Sequence, residues 1–399
     1  MNRRTFVRLG GMAAVGFGLE GCAQKSAPAV TPQSLPRNTP RVLPVVRASW
    51  DRVIRTTIGL RPHRDSGFLL KADKLDAKTV IHNFGHGGAG MSLSWGTASM
   101  AVDFAMQQPD RRAAVLGCGV VGLTTARELQ RRGFDVTIYA ATVPPDTTSN
   151  MSLAGFTPTS GLVQNNRRTP EWDAQFRQAV QIAYHRLQLL AGPRYGISWI
   201  QNYSPTDDIN QQQGGGGGGA GGVNPLLPES IQNPRVVLQP GEHPFPTRYA
   251  IERTQMRIEP SIYLDALMHD VALFGGKIVI RKFETPRDLM ALPEHVIVNC
   301  TGLGAKALFD DPELVPLKGQ LTVLMPQAEI NYGTNGGLRV ATPQAGIGIH
   351  MMPRSDGIAL GGTSQRDVWT MDVDQTERQR IVEGHIDLFS AMKTPARLT

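Results

Sequence analysis

The 399-residue chain predicts an α/β protein organised around a glycine-rich βαβ unit. Two observations predict it. Short apolar runs alternate with amphipathic segments, the pattern of strands and surface helices packed in layers. In addition, "RRAAVLGCGVVGLTTARELQRRGFDVTIYA" sets Gly117, Gly119 and Gly122 between a buried strand and an amphipathic helix that leads to a second strand. Glycines at that spacing, followed by Val120 and Val121 opening the helix, let the backbone approach a pyrophosphate whose charge rests on the helix N-terminus. The second strand ends in Ala140, Ala141 and Thr142, with no acidic residue for ribose hydroxyls, so the ribose must be held otherwise.

Taken in order, strands are expected at 52–58, 79–84, 113–117, 135–140, 247–253, 276–281, 295–299, 319–325, 347–352 and 357–361. Helices are expected at 91–106, 120–132, 170–191, 260–273 and 375–391. Pro260 suits the first turn of its helix, where a missing N–H does no harm. The stretch 209–222, "INQQQGGGGGGAGG", has no side chains with which to build a core and reads as a disordered surface loop.

Residues 1–22, "MNRRTFVRLGGMAAVGFGLEGC", join a basic start to a short apolar stretch and a small-residue end, which is an export signal and not part of the fold. A membrane-spanning helix needs roughly 20 apolar residues, and this stretch is too short and too rich in glycine. "RRTFVR" resembles a twin-arginine signal with Arg3 and Arg4 as the pair, a route that carries folded proteins. "LEGC" resembles a lipoprotein cleavage box, which implies lipid on Cys22 and a membrane-anchored protein on the periplasmic side. Residues 23–40, rich in Pro, Ser and Ala, then form an extended tether.

The formal charge of +7 falls by two once the signal is removed, and no segment interleaves basic clusters with aromatics, so a nucleic-acid partner is excluded. Beyond Cys22 the cysteines are Cys118 and Cys300, read as two buried free thiols and not as a disulfide framework. "IHNFGHGGAGMSLSWG" at 81–96 holds His82 and His86 four apart, but no Cys, Asp or Glu within it offers a third ligand, so no metal is expected. A glycine turn leading into a helix instead presents free N–H groups and a positive dipole end.

That stretch, together with "GLRPHR" at 59–64, resembles the signature of the D-amino-acid oxidase family. Matches continue through "PPDTTSN" at 144–150, "IEPSIYL" at 258–264, "VIVNCTGLGA" at 296–305, "PLKGQL" at 316–321 and "PRSDGIALGG" at 353–362. The resemblance implies a Rossmann-type FAD-binding domain and a mixed β-sheet substrate domain. It also implies circular permutation, because the arginine and GHGG motifs, which close the family's usual chain, here precede the dinucleotide fingerprint. The division implied is FAD-binding at 41–165 and 291–310, and substrate-binding at 166–290 and 311–399.

The family's chemistry implies oxidative deamination of a D-amino acid by hydride transfer from Cα to flavin N5, with oxygen or another acceptor reoxidising the flavin. Glycine or N-methylated amino acids are the alternative substrates, and a flavin-binding lipoprotein without turnover is the alternative class. Arg61 would grip the substrate carboxylate, for which a planar fork is suited, and the Gly88 carbonyl would accept from the amine. His86, Gly87, Gly88, Ala89, Gly90, Met91 and Ser92 would meet the flavin, with the N–H groups of Gly90 to Ser92 stabilising charge on the ring. Thr147, Thr148 and Ser149 would meet the phosphates, and Thr301 and Gly302 the cofactor from another strand end. The family's pocket tyrosines are replaced by Gly346 and His350. With an unperturbed pKa of roughly 6.5, His350 would charge in mild acid and welcome a second carboxylate.

Overall fold

A computed structural model describes residues 40–209, 224–232, 234–336 and 348–393. The expected export signal with Cys22, the tether up to residue 39, most of the glycine stretch, and Gly346 lie outside the described residues.

The chain enters through β1 (Val53–His63), β2 (Leu69–Leu75) and β3 (Lys78–Phe84), then turns into α1 (Gly90–Met106). β3 is buried along its whole length, as befits a strand paired on both sides. β4 (Arg112–Leu116), α2 (Val120–Arg131) and β5 (Asp135–Ala140) form the βαβ unit, with Leu123, Ala126 and Leu129 on the buried face of α2. α3 (Pro170–Leu189) starts with the Thr169 side chain accepting from the Trp172 N–H at 3.2 Å and with proline in its first turn. Gly96 lets α1 cross it closely, since a Cβ there would overlap the Ala179 carbonyl.

β6 (Ile197–Thr206), β7 (Val236–Leu238) and β8 (Tyr249–Ile258) follow, and α4 (Pro260–Leu273) opens on its expected proline. The remainder is β9 (Lys277–Ile280), β10 (Val296–Asn299), α5 (Gly304–Leu308), β11 (Val315–Leu324), β12 (Tyr332–Asn335), β13 (His350–Arg354), β14 (Gly357–Gly361), β15 (Gln365–Arg366) and α6 (Gln375–Ser390). The Asp374 side chain caps α6 by accepting from the Glu377 N–H at 3.0 Å.

Two sheets result. The smaller runs β2-β3-β10-β4-β5-β9 and is parallel from β3 onward. The larger runs β1-β11-β14-β13-β12-β6-β8-β7, with β15 on β11, and is antiparallel except where β12 meets β6. β1 therefore belongs to the larger sheet, although the sequence division put it with the FAD-binding segment. Conversely, β9 pairs with β5 in the smaller sheet, and α3 and α4 share the core of α1, α2 and β4 through Phe176, Val180, Leu264 and Leu267. The segment 166–290 thus serves both halves, because burial of helix faces follows proximity and not chain order.

Candidate active site

A cavity of about 1230 Å³ lies over the C-terminal ends of β3, β4, β5 and β10 and extends across one face of the larger sheet. Such ends, where strand order reverses, are where open α/β sheets bind ligands. The volume exceeds the roughly 300–1,000 Å³ of an ordinary small-ligand site and has room for a dinucleotide beside a substrate.

Each glycine of the βαβ turn has its own steric reason. Gly117 holds φ at +102°, and a Cβ there would stand 2.6 Å from the Cys300 carbonyl oxygen. A Cβ on Gly122 would overlap the Gly117 carbonyl, so this residue lets α2 close on β4 and stands behind the cavity wall. Gly119 differs, since its Cβ would meet only Ser149 Oγ, at 3.1 Å, on the cavity side. Its bareness serves whatever approaches through the cavity, which is what a pyrophosphate requires. The Val120 N–H donates to Ser149 Oγ at 3.0 Å, while the Val121 and Gly122 N–H groups find no acceptor among the described residues. Thr147, Thr148, Thr301 and Gly302 line the same end. The Thr147 hydroxyl donates to Asn150 at 2.8 Å and that of Thr301 to Asn299 at 2.7 Å, so both protons are engaged within the protein.

Facing this cradle is the loop between β3 and α1. The Gly87 N–H donates to the Pro62 carbonyl of β1 at 2.7 Å and the Gly88 N–H to the Ser160 carbonyl at 3.0 Å, so the loop is clamped from both sides. A Cβ on Gly87 would overlap the Gly161 carbonyl. Gly88, Gly90 and Met91 line the cavity, and the Gly88 carbonyl and the Gly90 and Met91 N–H groups have no partner among the described residues. Ala89 and Ser92 do not reach it. The Ser92 N–H turns back to the Ala89 carbonyl at 3.0 Å, and the Ser92 hydroxyl accepts from the Thr157 N–H at 2.8 Å, so both shape the wall from behind. The His86 ring stacks on Phe68 at 5.5 Å and bonds the Thr97 hydroxyl at 3.0 Å, which leaves main chain as its offering to the cavity. Burial pushes its pKa down to about 3. His82 has separate partners, Asn299 at 3.2 Å and Asp73 at 3.3 Å, and among the described residues no group of three or more His, Cys, Asp or Glu could hold a metal ion.

Arg61 enters from β1, an edge strand, where the proline that follows it costs the sheet no central hydrogen bond. Its Nε donates to the Leu317 carbonyl at 3.0 Å and its Nη2 to the Thr363 carbonyl at 3.1 Å. All its partners are main-chain carbonyls, and among the described residues no carboxylate pairs with it. Burial lowers its pKa, yet a guanidinium keeps its proton. A cation so placed, without a counter-charge, costs several kcal/mol, which an anion in the cavity would offset.

His350 also lines the cavity, its ring over Gly361, where any Cβ would overlap it. Burial, reinforced by His385, Arg61 and Arg380, pushes its pKa down to about 3. The expectation that it charges in mild acid is therefore overturned. An imidazole among cations remains neutral, and it can offer a hydrogen bond but no charge.

These features define a dinucleotide-binding α/β protein whose cofactor cleft carries a cation that no carboxylate of the described residues compensates. The chain belongs to the FAD-dependent oxidoreductase family, whose model matches residues 112–398. A D-amino acid oxidase of Dugesia ryukyuensis is 24% identical over 282 residues, which cover 68% of this chain and 75% of the relative. For a D-amino-acid oxidase of Rubrobacter xylanophilus the identity is 26%, with the same coverages. A human D-aspartate oxidase is 26% identical over 280 residues, covering 68% of this chain and 74% of its own. The cofactor is FAD, and the bare Gly119, the free helix N–H groups and the long cleft fit it.

Several lining residues carried no signal in the sequence. Arg281, Lys282 and Glu284 follow β9, beside Ala140, whose carbonyl accepts from the Arg281 N–H at 2.9 Å. They stand where the acidic ribose partner is missing. Cys118 lines the turn itself as a free thiol, raised to about 12 by burial, as is Cys300. Asn202 of β6 and Arg253 of β8, paired across the sheet, and Arg235 just before β7 line the cavity from distant parts of the chain.

Proposed function

We propose that this protein oxidatively deaminates D-amino acids, with Arg61 holding the substrate α-carboxylate. The observation that carries the reading is the Arg61 guanidinium, which lines the cavity and, among the described residues, has main-chain partners alone. Bound FAD supplies the two-electron acceptor. The protein's part is positional: Arg61 orients the carboxylate, the Gly88 carbonyl accepts from the amine, and the dipole of α1 with the Gly90 and Met91 N–H groups favours negative charge nearby. No side-chain base is required, because a neutral amine has no proton to lose before its Cα–H bond breaks.

The names of the three relatives support an amino-acid substrate. A permuted chain order is supported by the family match, which starts at the first residue of β4 and leaves Arg61 and the GHGG loop ahead of it. Export by the twin-arginine route and lipid anchoring at Cys22 are supported by residues 1–22. The absorption spectrum of the FAD-loaded protein under anaerobic D-alanine tests the reaction. Bleaching of the oxidised flavin band is expected. A flavin left oxidised by every D-amino acid but reduced by glycine or N-methylglycine moves the substrate class, and one reduced by none of them removes the oxidase reading.

A further inference from the structure

The strand that brings Arg61 to the cavity ends in His63, a buried histidine that does not itself line the cavity and that the reaction as described does not use. Its ring is engaged at both nitrogens. Nδ1 lies 2.9 Å from the Gly161 carbonyl oxygen, and Nε2 lies 3.0 Å from the Asp65 carboxylate. A carbonyl oxygen can only accept. So can the carboxylate, because it is ionised: against the cost of burial, hydrogen bonds from His63 and Arg366 hold it below its ordinary value. Arg366 and the Gln164 amide reach its oxygens at 2.9 and 2.7 Å. Both ring nitrogens must therefore donate, which only an imidazolium can do.

What the ring holds is the support of the loop that carries the Gly88 carbonyl. The Gly161 carbonyl lies so close against Gly87 that a Cβ there would overlap it, and the Ser160 carbonyl accepts from the Gly88 N–H at 3.0 Å. From the other side the carbonyl of Pro62, the residue before His63, accepts from the Gly87 N–H at 2.7 Å. A neutral ring has one N–H to divide between two acceptors. The charged acceptor makes the stronger bond, so the remaining proton stays on the Asp65 side. The bare Nδ1 then turns a lone pair on the Gly161 oxygen and pushes residues 160–161 away from the loop.

We propose that His63 is a positioning residue: its imidazolium fixes residues 160–161 against the Gly87–Gly88 loop and so sets the Gly88 carbonyl for the substrate amine, and loss of the ring proton releases them. The inference rests on the reading in which Gly88 accepts from the amine, and adds to it a control by charge. Among the described residues the charges facing the ring are Asp65 and, through it, Arg366 of β15. On its own segment Arg61 is bonded to main-chain carbonyls and Arg64 to Asp311 and Glu313. His86, whose backbone bridges to that of His63, is neutral, held down to about 3 by burial. Opposite on β11 stands Val315, which is apolar.

The test follows the FAD-loaded protein, His63→Gln and Asp65→Asn from about pH 6 to about pH 9. Nitrogen NMR of histidine-labelled protein should show, at the acid end, one ring with both nitrogens protonated whose signals are absent from His63→Gln. As that proton leaves, kcat/KM for D-alanine, corrected for ionisation of the substrate amine, should fall, and exchange of the Gly88 amide, corrected for its intrinsic rate, should quicken. His63→Gln should show neither change and should stand at the alkaline level throughout, about tenfold below the unaltered protein in acid, as for one hydrogen bond at the upper end of its worth. Propionate, which offers Arg61 a carboxylate and has no amine, should bind the variant with less than about twofold change, read by flavin absorbance. Asp65→Asn should move the transitions to lower pH, because it withdraws the charge that favours the proton. A ring neutral in acid, an alkaline fall that His63→Gln retains, propionate weakened as much as D-alanine, or transitions that Asp65→Asn leaves in place would overturn the positioning role. If no amino acid bleaches the flavin, the oxidase reading falls alone, and the ring signals and amide exchange still decide whether His63 holds the loop.

Discussion

Over the glycine turns beside the smaller sheet the cavity wall is largely main chain, whereas on the side of the larger sheet it is side chains. Gly117 and Gly122 bring carbonyls and helix within reach of one another, Gly119 leaves a bare face, and the Thr147, Ser149 and Thr301 hydroxyls find partners close by while main-chain N–H groups face the cavity. The larger sheet instead presents Arg61, Arg235, Arg253 and His350, whose charge or neutrality depends on strands far apart in the chain. A cofactor common to a family can be met by backbone geometry. Choice of substrate needs side chains, and these are left with less compensation.

The comparison breaks most readily at the glycines. Gly122→Ala forces a methyl into the Gly117 carbonyl and should cost roughly 3 kcal/mol of stability, the upper range for overpacking, with loss of bound FAD. Gly119→Ala, at φ −76°, should leave the unfolding free energy of the apoprotein within about 1 kcal/mol while weakening FAD about tenfold or more. Denaturant unfolding and flavin titration of both variants check this, and similar behaviour of the two would mean that Gly119 is a packing residue.

Next in size is Arg61→Leu. Loss of a charge-assisted carboxylate contact at a dry site costs about 2–5 kcal/mol, so kcat/KM should fall by roughly two orders of magnitude with FAD still bound. Loss of flavin along with turnover would instead give Arg61 to the scaffold.

A smaller effect is common to both regions. His82 and His385 are held down to about 4, and His86 and His350 to about 3, against an ordinary 6.5, all chiefly by burial. Each stays neutral in the fold while the unfolded chain takes up a proton, so stability is complete above about pH 6.5 and falls toward pH 4, by on the order of 1 kcal/mol per histidine per pH unit. Tm should drop between pH 7 and pH 5, before carboxylates titrate. A flat or rising Tm would contradict the burial of these rings. Smallest for the purified enzyme is Arg3→Lys with Arg4→Lys, which should abolish arrival in the periplasm and leave spectrum and kinetics unchanged. Undiminished export, measured by fractionation, would remove the twin-arginine reading.

Much of the small-sheet side was legible because its signals are local. The strands of the βαβ unit and the five expected helices occur within a few residues of their expected limits, and β9 and β10 likewise. β2, β6, β7, β12, β15 and the short α5 were not anticipated. "LLKADKL" of β2 is polar because it pairs on one side only, and "ISWIQNYSPT" of β6 carries a proline and interrupted alternation, so their strand character comes from their neighbours. β1 runs on through "GLRPH" beyond its expected end, since pairing with β11 continues to His63 and Val315.

What the sequence determined by itself is whatever lies within about thirty residues of chain: the glycine turn, its helix and the motifs that signal an FAD-dependent oxidoreductase. The protonation of His350, the lack among the described residues of a carboxylate beside Arg61, the gathering of Arg235 and Arg253 on one cavity and the retreat of Ala89, Ser92 and Gly122 behind the wall were decided by tertiary structure. The reason is physical. Glycine conformation and helix dipoles are properties of neighbouring residues, whereas desolvation and Coulomb interaction depend on which strands, hundreds of residues apart, the sheet sets side by side.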